Sequence, residues 1–305
     1  MIEFKRPQLE DRSWMEPYLR GSGFRSCEYT FTNLYTWAGP YLQSAAVVEG
    51  FLVVRTDYDG GSYSWGAGSG SRRDMILALY HDAQQRGVPF RLWGMTEEQC
   101  QQIEDLFPGM FTFQNFEDGA DYCYTAEKLA TLSGKKLHAK RNHIHRFEDN
   151  FPDWRVEEIT EENLSQCLIV AQDWEKEETA AGLDDWEERA GEAALHKAAK
   201  HYRELGLEGL ILYGEDKPLA FTMGQPISGD TYDVIFEKAY GEVQGAYAMI
   251  NREFARWVQK HYPEIVYLNR EDDMGEPNLR KAKLSYHPDL MVNKYLASLK
   301  DGAVL

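Results

Sequence analysis

Leu207-Glu208-Gly209-Leu210-Ile211-Leu212-Tyr213 is followed by Gly214-Glu215-Asp216-Lys217-Pro218 and then by Leu219-Ala220-Phe221-Thr222-Met223. Two apolar, β-branched runs separated by a turn of Gly, Asp and Pro predict a hairpin. Thr231-Tyr232-Asp233-Val234-Ile235-Phe236 predicts a third strand, and a loop with Gly241 and Gly245 leads out of it. Apolar residues at helical spacing then predict a helix from about Ala246 to Lys260, with Ala248, Ile250, Phe254 and Trp257/Val258 inward. Ile265-Val266-Tyr267-Leu268-Asn269 reads as the next strand, and a helix follows from Pro277 to Leu284, stopped by Pro288.

The same order occurs earlier in the chain. Ala45–Glu49 and Phe51–Arg55 flank Gly50 as a hairpin, and Ser62–Trp65 is a third strand. The glycine loop Gly66–Ser71 precedes a helix of about fifteen residues that ends at Gly87. Pro89–Trp93 is a strand, and Thr96-Glu97-Glu98-Gln99 is a capping box that opens a helix through Phe107. The long helices are offset by about 175 residues, so a whole domain is the repeated unit. Between the halves, Trp154–Ile159 predicts a strand, Thr160 caps a helix, and a further helix covers about 185–205.

Strand, strand, strand, glycine loop, long helix, strand, helix is the order of a Gcn5-related acyltransferase-like sheet. The expected class is α/β (α+β), with two tandem Gcn5-related N-acyltransferase-like domains, each a mixed central sheet flanked by helices. The boundary falls near 148–153, giving domains 1–148 and 149–305.

Composition narrows the function. The 305 residues carry a formal net charge of −17, which argues against general nucleic-acid or anionic-membrane binding, so no DNA partner is expected. Cys27, Cys100, Cys123 and Cys167 form no CxxC pair, which fits a reducing compartment better than a disulfide framework. The residues from Met1 to Pro7 lack the apolar core of a signal peptide, and no run approaches about 20 apolar residues, so a cytoplasmic protein without a transmembrane segment is expected.

Against this acidic background, residues 134–147 are dense in cations: Lys135, Lys136, His138, Lys140, Arg141, His143, His145 and Arg146. On a helical wheel Leu137, Ile144 and Phe147 form an apolar stripe. Lys136, Lys140, Arg141, Asn142, His145 and Arg146 are therefore candidates to hold a phosphate-bearing anion. His138, His143 and His145 match no common zinc spacing, and no metal site is expected.

The run from Tyr267 to Pro288 crowds polar residues at the C-terminal end of a parallel strand, where open α/β sheets bind ligands. Glu271, Asp272 and Asp273 suit an ammonium, and Arg280 and Lys283 share a helical face suited to an anion. The loop Glu237–Ala246 is the place for a coenzyme A pyrophosphate. Gln244, Gly245 and Ala246 would face it, but Glu242 and Tyr247 occupy positions where the usual Gln/Arg-x-x-Gly-x-Gly/Ala pattern has other residues. That departure counts against ordinary coenzyme A binding. No Gly-x-Ser-x-Gly elbow is present, so a nucleophile-based mechanism has little support.

Lys140-Arg141-Asn142, Asn269-Arg270-Glu271-Asp272-Asp273-Met274-Gly275, Leu279-Arg280-Lys281-Ala282-Lys283 and Ser285-Tyr286-His287-Pro288 resemble a bacterial family named after the C-terminal domain of phosphatidylglycerol lysyltransferase. Glu28-Tyr29-Thr30-Phe31-Thr32-Asn33-Leu34-Tyr35-Thr36-Trp37 is similar to its N-terminal signature, and the resemblance runs from about 24 to 295. It implies a tandem fold similar to Fem-type enzymes. It also implies transfer of an aminoacyl group from aminoacyl-tRNA to an amine or hydroxyl, with a small-molecule or peptide acceptor. No resident cofactor is implied; the donor is aminoacyl-tRNA or, alternatively, acyl-coenzyme A. In that reading the 135–146 segment contacts tRNA, and Glu271 and Asp272, with Asn269 and Arg270 beside them, bind the aminoacyl end. Lys283 or Arg280 stabilises the oxyanion, Glu237 accepts the acceptor's proton, and Tyr286 returns one to the leaving group. The membrane-embedded part of the lipid-modifying enzymes is not seen in this sequence, so a lipid acceptor is not expected. A non-catalytic binding module on the same fold is the third alternative.

Overall fold

The computed structural model describes residues 1–180 and 186–305. They form two compact units. The first contains Met1–Asp121, Asp272–Pro277 and Met291–Leu305; the second contains Tyr122–Glu271 and Asn278–Leu290. The boundary expected near 148 thus differs from the contact boundary at 121/122. The reason is pairing: Cys123, Tyr124 and Thr125 lie antiparallel to Asn269, Leu268 and Tyr267, and the helix His138–Asn150 packs on the helix Ala246–His261.

In the first unit, Gln43–Val48 and Phe51–Thr56 form the expected hairpin, turning at Glu49 and Gly50, both at positive φ. Phe51–Thr56 pairs antiparallel with Ser62–Ser64, which in turn lies parallel to Arg91–Met95. The helix Arg72–Arg86 makes the crossover; Ser71 caps its start and Gly87, at φ 70°, ends it. The Thr96–Gln99 capping box is formed, and its helix spans Glu97–Leu106. Next to Arg91–Met95 lies not a neighbour in sequence but Tyr295–Leu299, which also pairs with Phe111–Asn115. Ala297 is fully buried in a core with Met75, Ile76, Leu79, Leu92 and Ile103.

The second unit repeats the plan. Glu208–Gly214, Lys217–Ser228 and Thr231–Ala239 are successive antiparallel strands, edged by Arg155–Glu158. Thr231, Tyr232 and Asp233 run parallel to Tyr267, Leu268 and Asn269 across the crossover helix Ala246–His261. That helix buries Ala248, Met249, Ile250, Phe254, Ala255 and Val258. The middle strand continues well beyond Met223 to Ser228; Pro226 lies opposite Tyr232, and register shifts fall between Met223 and Gly224 and between Pro226 and Ser228. The helix expected at 185–205 is two helices, Trp186–Lys200 and Tyr202–Leu205; residue 185 lies outside the described residues. No helix among the described residues is long and apolar enough to cross a membrane.

The glycine loop of the first unit is in part a strand. Ala67 and Gly68 pair with Leu52 and Phe51 as a short strand. A side chain on Gly68 or Gly70 would run into the Gly50 or Glu49 carbonyl oxygen. These glycines allow backbone to pack on backbone.

Ala297 carries the first unit's sheet through its centre. Ala297→Asp is expected to lower the free energy of unfolding by about 3 kcal/mol or more, because the carboxylate finds no partner in that core. A drop in the urea midpoint at unchanged slope is the readout.

Candidate active site

In the second unit the two central parallel strands splay after Asp233 and Asn269, and the side chains just beyond form a buried polar group. Glu237 lies near the end of the strand Thr231–Ala239, beyond its pairing with the other, and Arg270 follows the strand Tyr267–Asn269. Arg270 Nη2 donates to Glu237 Oε1 at 2.6 Å, with side-chain exposures of 13% and 9%. Burial this deep requires a partner for each charge, and the pair supplies it. Burial alone would lower the Arg270 pKa, but Glu237, Tyr124 and Tyr286 outweigh it and hold the guanidinium firmly charged. Neither Arg270 Nη1 nor Glu237 Oε2 has a hydrogen-bond partner among the described residues, although both atoms are buried. One donor and one acceptor are left over at the end of a single ion pair.

Aromatic rings wall this pair. The Arg270 guanidinium carbon lies 5.2 Å from the Tyr286 ring centre and 6.0 Å from that of Tyr124. Tyr286 is buried, and burial, opposed by Arg270 and reinforced by Glu237, pushes its phenol up to about 12, so it remains protonated. Lys140 reaches the same ring from the linker helix, its Nζ 3.9 Å from the Tyr286 centre. Burial first, and then the charge of Arg270, lowers the Lys140 pKa to about 8. The basic segment and the end of the last inner strand therefore converge on Tyr286 within one unit.

Other expected site residues play different parts. Lys283 is buried, and its ammonium donates to the Arg270 carbonyl at 2.5 Å, while its own carbonyl accepts from the Tyr124 hydroxyl at 2.7 Å. It braces the backbone of Arg270, so the oxyanion role expected of Lys283 falls more naturally to Arg270 Nη1. Arg280 is half-buried on the helix Pro277–Leu284. Asn269 is fully buried and accepts the backbone N–H of Glu271, which turns at φ 55°. The carboxylate run divides at this point: Glu271 belongs to the second unit and Asp272 to the first. Asp273 is buried and accepts from the Gly275 N–H, as a turn residue does.

On the basic segment, the helix begins only at His138, so Lys135 and Lys136 precede it as exposed turn residues. Arg141 donates to the carbonyls of Leu132 and Gly134, closing the end of the helix Ala126–Thr131, and is thereby withdrawn from ligand binding. Asn142 bonds His138 at 3.3 Å. His145 lies 3.6 Å from Glu148 and is 71% exposed on its side chain. The cations Lys136 and Arg146, with His138, His143 and His145, make an exposed polar surface on and beside the helix that carries Lys140.

The loop expected to face a pyrophosphate is turned to another use. Gln244 is exposed and Ala246 buried. Gly245 sits at φ 91°, and an ideal Cβ there would stand 2.3 Å from the His143 carbonyl oxygen and 3.0 Å from Phe147 Cβ. The backbone of the linker helix occupies the approach to this glycine, so Gly245 serves helix packing. Tyr122 and Tyr124 were not foreseen as site residues. Their alternation in Asp121-Tyr122-Cys123-Tyr124-Thr125 was the available signal: Tyr124 lies by Arg270, and the Tyr122 ring centre is 5.8 Å from the Lys283 ammonium.

The family model described as phosphatidylglycerol lysyltransferase, C-terminal, matches residues 20–298. The chain belongs to this family. A conserved protein of unknown function from Bacteroides thetaiotaomicron is 37% identical, with a TM-score of 0.91 over 98% of this chain and all of that one. L-PGS from Bacillus licheniformis shares the fold at 15% identity, with a TM-score of 0.66 over 100% of this chain and 96% of its own. FemX does so at 9% identity and a TM-score of 0.59 over 98% of each chain. A curated relative, an uncharacterized protein of Mycoplasmoides gallisepticum, is 26% identical over 188 residues; the match spans 60% of this chain and 57% of that protein's length. The fold is the tandem acyltransferase-like one shared with Fem-type proteins, and family and fold together point to acyltransferase chemistry.

Two outcomes test the site's construction. Gly245→Ala is expected to cost about 2 kcal/mol of stability, from the strained φ and the collision with the linker helix, measured by chemical denaturation. The Lys140 ammonium, with a pKa of about 8 in place of 10.5, releases its proton earlier in the folded chain than in the unfolded one. Stability therefore rises with pH between those values, and below them the buried charge imposes its full cost. Lys140→Met is expected to unfold at a higher temperature than the parent at pH 7, with the difference closing as the pH approaches 10.5.

Proposed function

We propose that this chain is an aminoacyltransferase, moving an aminoacyl group from aminoacyl-tRNA to an amine or hydroxyl acceptor at the Arg270–Glu237 pair. The observation that carries this reading is the pair's two unsatisfied buried atoms, a donor on Arg270 and an acceptor on Glu237, in residues joined to each other by one ion pair. Attack on an ester carbonyl needs both: a donor for the oxygen that becomes negative, and an acceptor for the proton the nucleophile loses.

In this mechanism the acceptor's nitrogen or oxygen attacks the ester carbonyl carbon. Arg270 Nη1 donates to the carbonyl oxygen as it gains charge, and Glu237 Oε2 takes the nucleophile's proton. The tetrahedral intermediate collapses, the bond to the ribose oxygen breaks, and Tyr286 or the Lys140 ammonium protonates the departing hydroxyl. Lys283 acts through Arg270 as a positioning residue. The exposed cations Lys136 and Arg146, with the exposed imidazoles of His143 and His145 as hydrogen-bonding groups, line the route by which a phosphate backbone would approach Lys140. Of the expected carboxylates, Glu271, in the same unit as Arg270, remains the candidate for the aminoacyl ammonium. The linker-helix backbone against Gly245 favours a donor other than coenzyme A in this half.

The test follows labelled aminoacyl-tRNA and, separately, labelled acetyl-coenzyme A with the full chain and a mixture of small amines and peptides. The expected result is protein-dependent loss of label from the tRNA only. Arg270→Gln should slow it about 10²–10³-fold, as loss of an oxyanion donor does. Lys136→Ala with Arg146→Ala should mainly raise KM and weaken the salt dependence. Turnover of acetyl-coenzyme A alone, or binding of either donor without turnover, would overturn the aminoacyl reading in favour of an acetyltransferase or a silent binding module.

A further inference from the structure

The first unit contains a buried group that the transferase chemistry does not use. The Lys294 ammonium lies 2.6 Å from Asp121 Oδ1 and 2.6 Å from Glu28 Oε1. It is also 3.6 Å from Cys27 Sγ. Lys294 is 4% exposed, Asp121 fully buried and Cys27 8% exposed. The Cys27 thiol faces Asp121 Oδ1 at 3.4 Å, and the Cys27 N–H donates to Asp121 Oδ2 at 2.9 Å, which fixes the sulfur's position. Cys27, Glu28 and Asp121 bring their ligand atoms within 4.8 Å of one another, but the ammonium stands among them, so a metal ion would have to displace it.

A thiol and an amine held this close, with carboxylates on both, form a reactive pair. Glu28 also lines a small pocket with Leu19, Tyr29, Ser64 and Trp93. Cys100 and Cys167 stand in a different setting: burial pushes their thiols up to about 11 and about 12, which keeps them protonated and inert. We infer that Cys27 and Lys294 form an oxidation-dependent covalent bridge through a single oxygen atom, Cys–S–O–NH–Lys, with hydrogen peroxide as the oxidant.

The balance is closed. One thiol, one ammonium and two molecules of hydrogen peroxide give the bridge, three waters and one proton. Sulfur and nitrogen each lose two electrons, and the two peroxides are reduced to water. Asp121 is placed to take the thiol's proton, so that the thiolate attacks the first peroxide and becomes a sulfenic acid. Glu28 and Asp121 relay the ammonium's protons out as the nitrogen–oxygen bond forms. Asp121, Glu28 and Asp272 hold the ammonium protonated against the pull of burial, so bridge formation is slow at rest and requires sustained oxidant. The bridge would tie Met291–Leu305, which supplies the strand Tyr295–Leu299, to residue 27 at the other end of the chain.

Treatment of the full chain with excess hydrogen peroxide, followed by intact and peptide mass spectrometry, decides the matter. The expected result is a gain of one oxygen less two hydrogens, on a cross-linked peptide pair containing Cys27 and Lys294, removed by dithiothreitol. The oxidised chain should melt at a higher temperature, and reduction should return it. Lys294→Arg keeps a cation for the carboxylates and Cys27→Ser keeps the packing; both should lose the cross-linked species. If either variant fails to fold, the peptide map of the parent still gives the answer. Oxygen added at Cys27 without loss of hydrogen, or a mass unchanged by oxidant, would overturn the bridge.

Discussion

Burying an arginine and a glutamate at the end of a sheet is costly unless the geometry of each is fixed by the other, and the second unit is built around satisfying that condition. Removing one member of such a pair leaves a bare charge in a poorly solvated place, a loss of about 3–5 kcal/mol. The surrounding elements can be read as support for it. The Lys283 ammonium holds the Arg270 backbone, Tyr124 holds the Lys283 backbone, and Tyr286 covers the guanidinium. The strand Asp121–Thr125 is drawn into the second sheet beside Tyr267–Asn269, and this pairing delivers Tyr124 to the site. An ion pair so thoroughly braced, yet with one atom of each partner unsatisfied, is a pair organised toward something that binds it.

The linker helix answers two demands with one surface. Its apolar stripe, Ile144 and Phe147, is buried, and its backbone at His143 presses on Gly245. On an acyltransferase-like sheet the start of the crossover helix is the natural seat of a pyrophosphate. In this chain a neighbouring helix takes up that approach, and the same helix brings Lys140 to Tyr286 and leaves its remaining cations exposed. On the reading proposed above, anion binding in this half would fall to side chains on a helix in place of backbone amides at a glycine turn, an arrangement suited to a large polyanion.

The periodic elements were legible because each carries a local reason for its form. The hairpins at 43–56 and 208–223, the Ser71 and Thr96 caps and the Gly87 and Gly206 stops lie where spacing and capping chemistry put them. The long-range pairings were not legible. Nothing local in Tyr295–Leu299 says that it inserts between Arg91–Met95 and Phe111–Asn115, and nothing near 121 says that its strand joins the second sheet. Site residues divide in the same way. Glu237, Arg270, Tyr286 and Lys140 were visible as polar residues at a strand end or on a basic helix. The bracing roles of Lys283 and Arg141 depend on carbonyls 13 and 9 residues away, and no pattern of residue types records which carbonyl a cation will meet.

The two halves share a plan but not a use of it. In the first unit the corresponding strand ends carry Ser64, Trp65, Trp93 and Gly94. Arg72, at the start of the crossover helix, turns back onto the carbonyls of Trp65 and Gly66 and lies 3.9 Å from the Phe51 ring centre and 4.4 Å from that of Trp65. Burial lowers its pKa to about 10, the mark of a cation spent on packing. The charges that remain near this end, Glu28 and Asp121, are taken up by Lys294. The two halves differ in what their strand ends leave buried without a hydrogen-bond partner: in the first unit the neutral Trp93 indole N–H, and in the second one atom of each partner of the Arg270–Glu237 ion pair. A charged donor and a charged acceptor, rather than the fold, are the physical ground for proposing the chemistry in the second half.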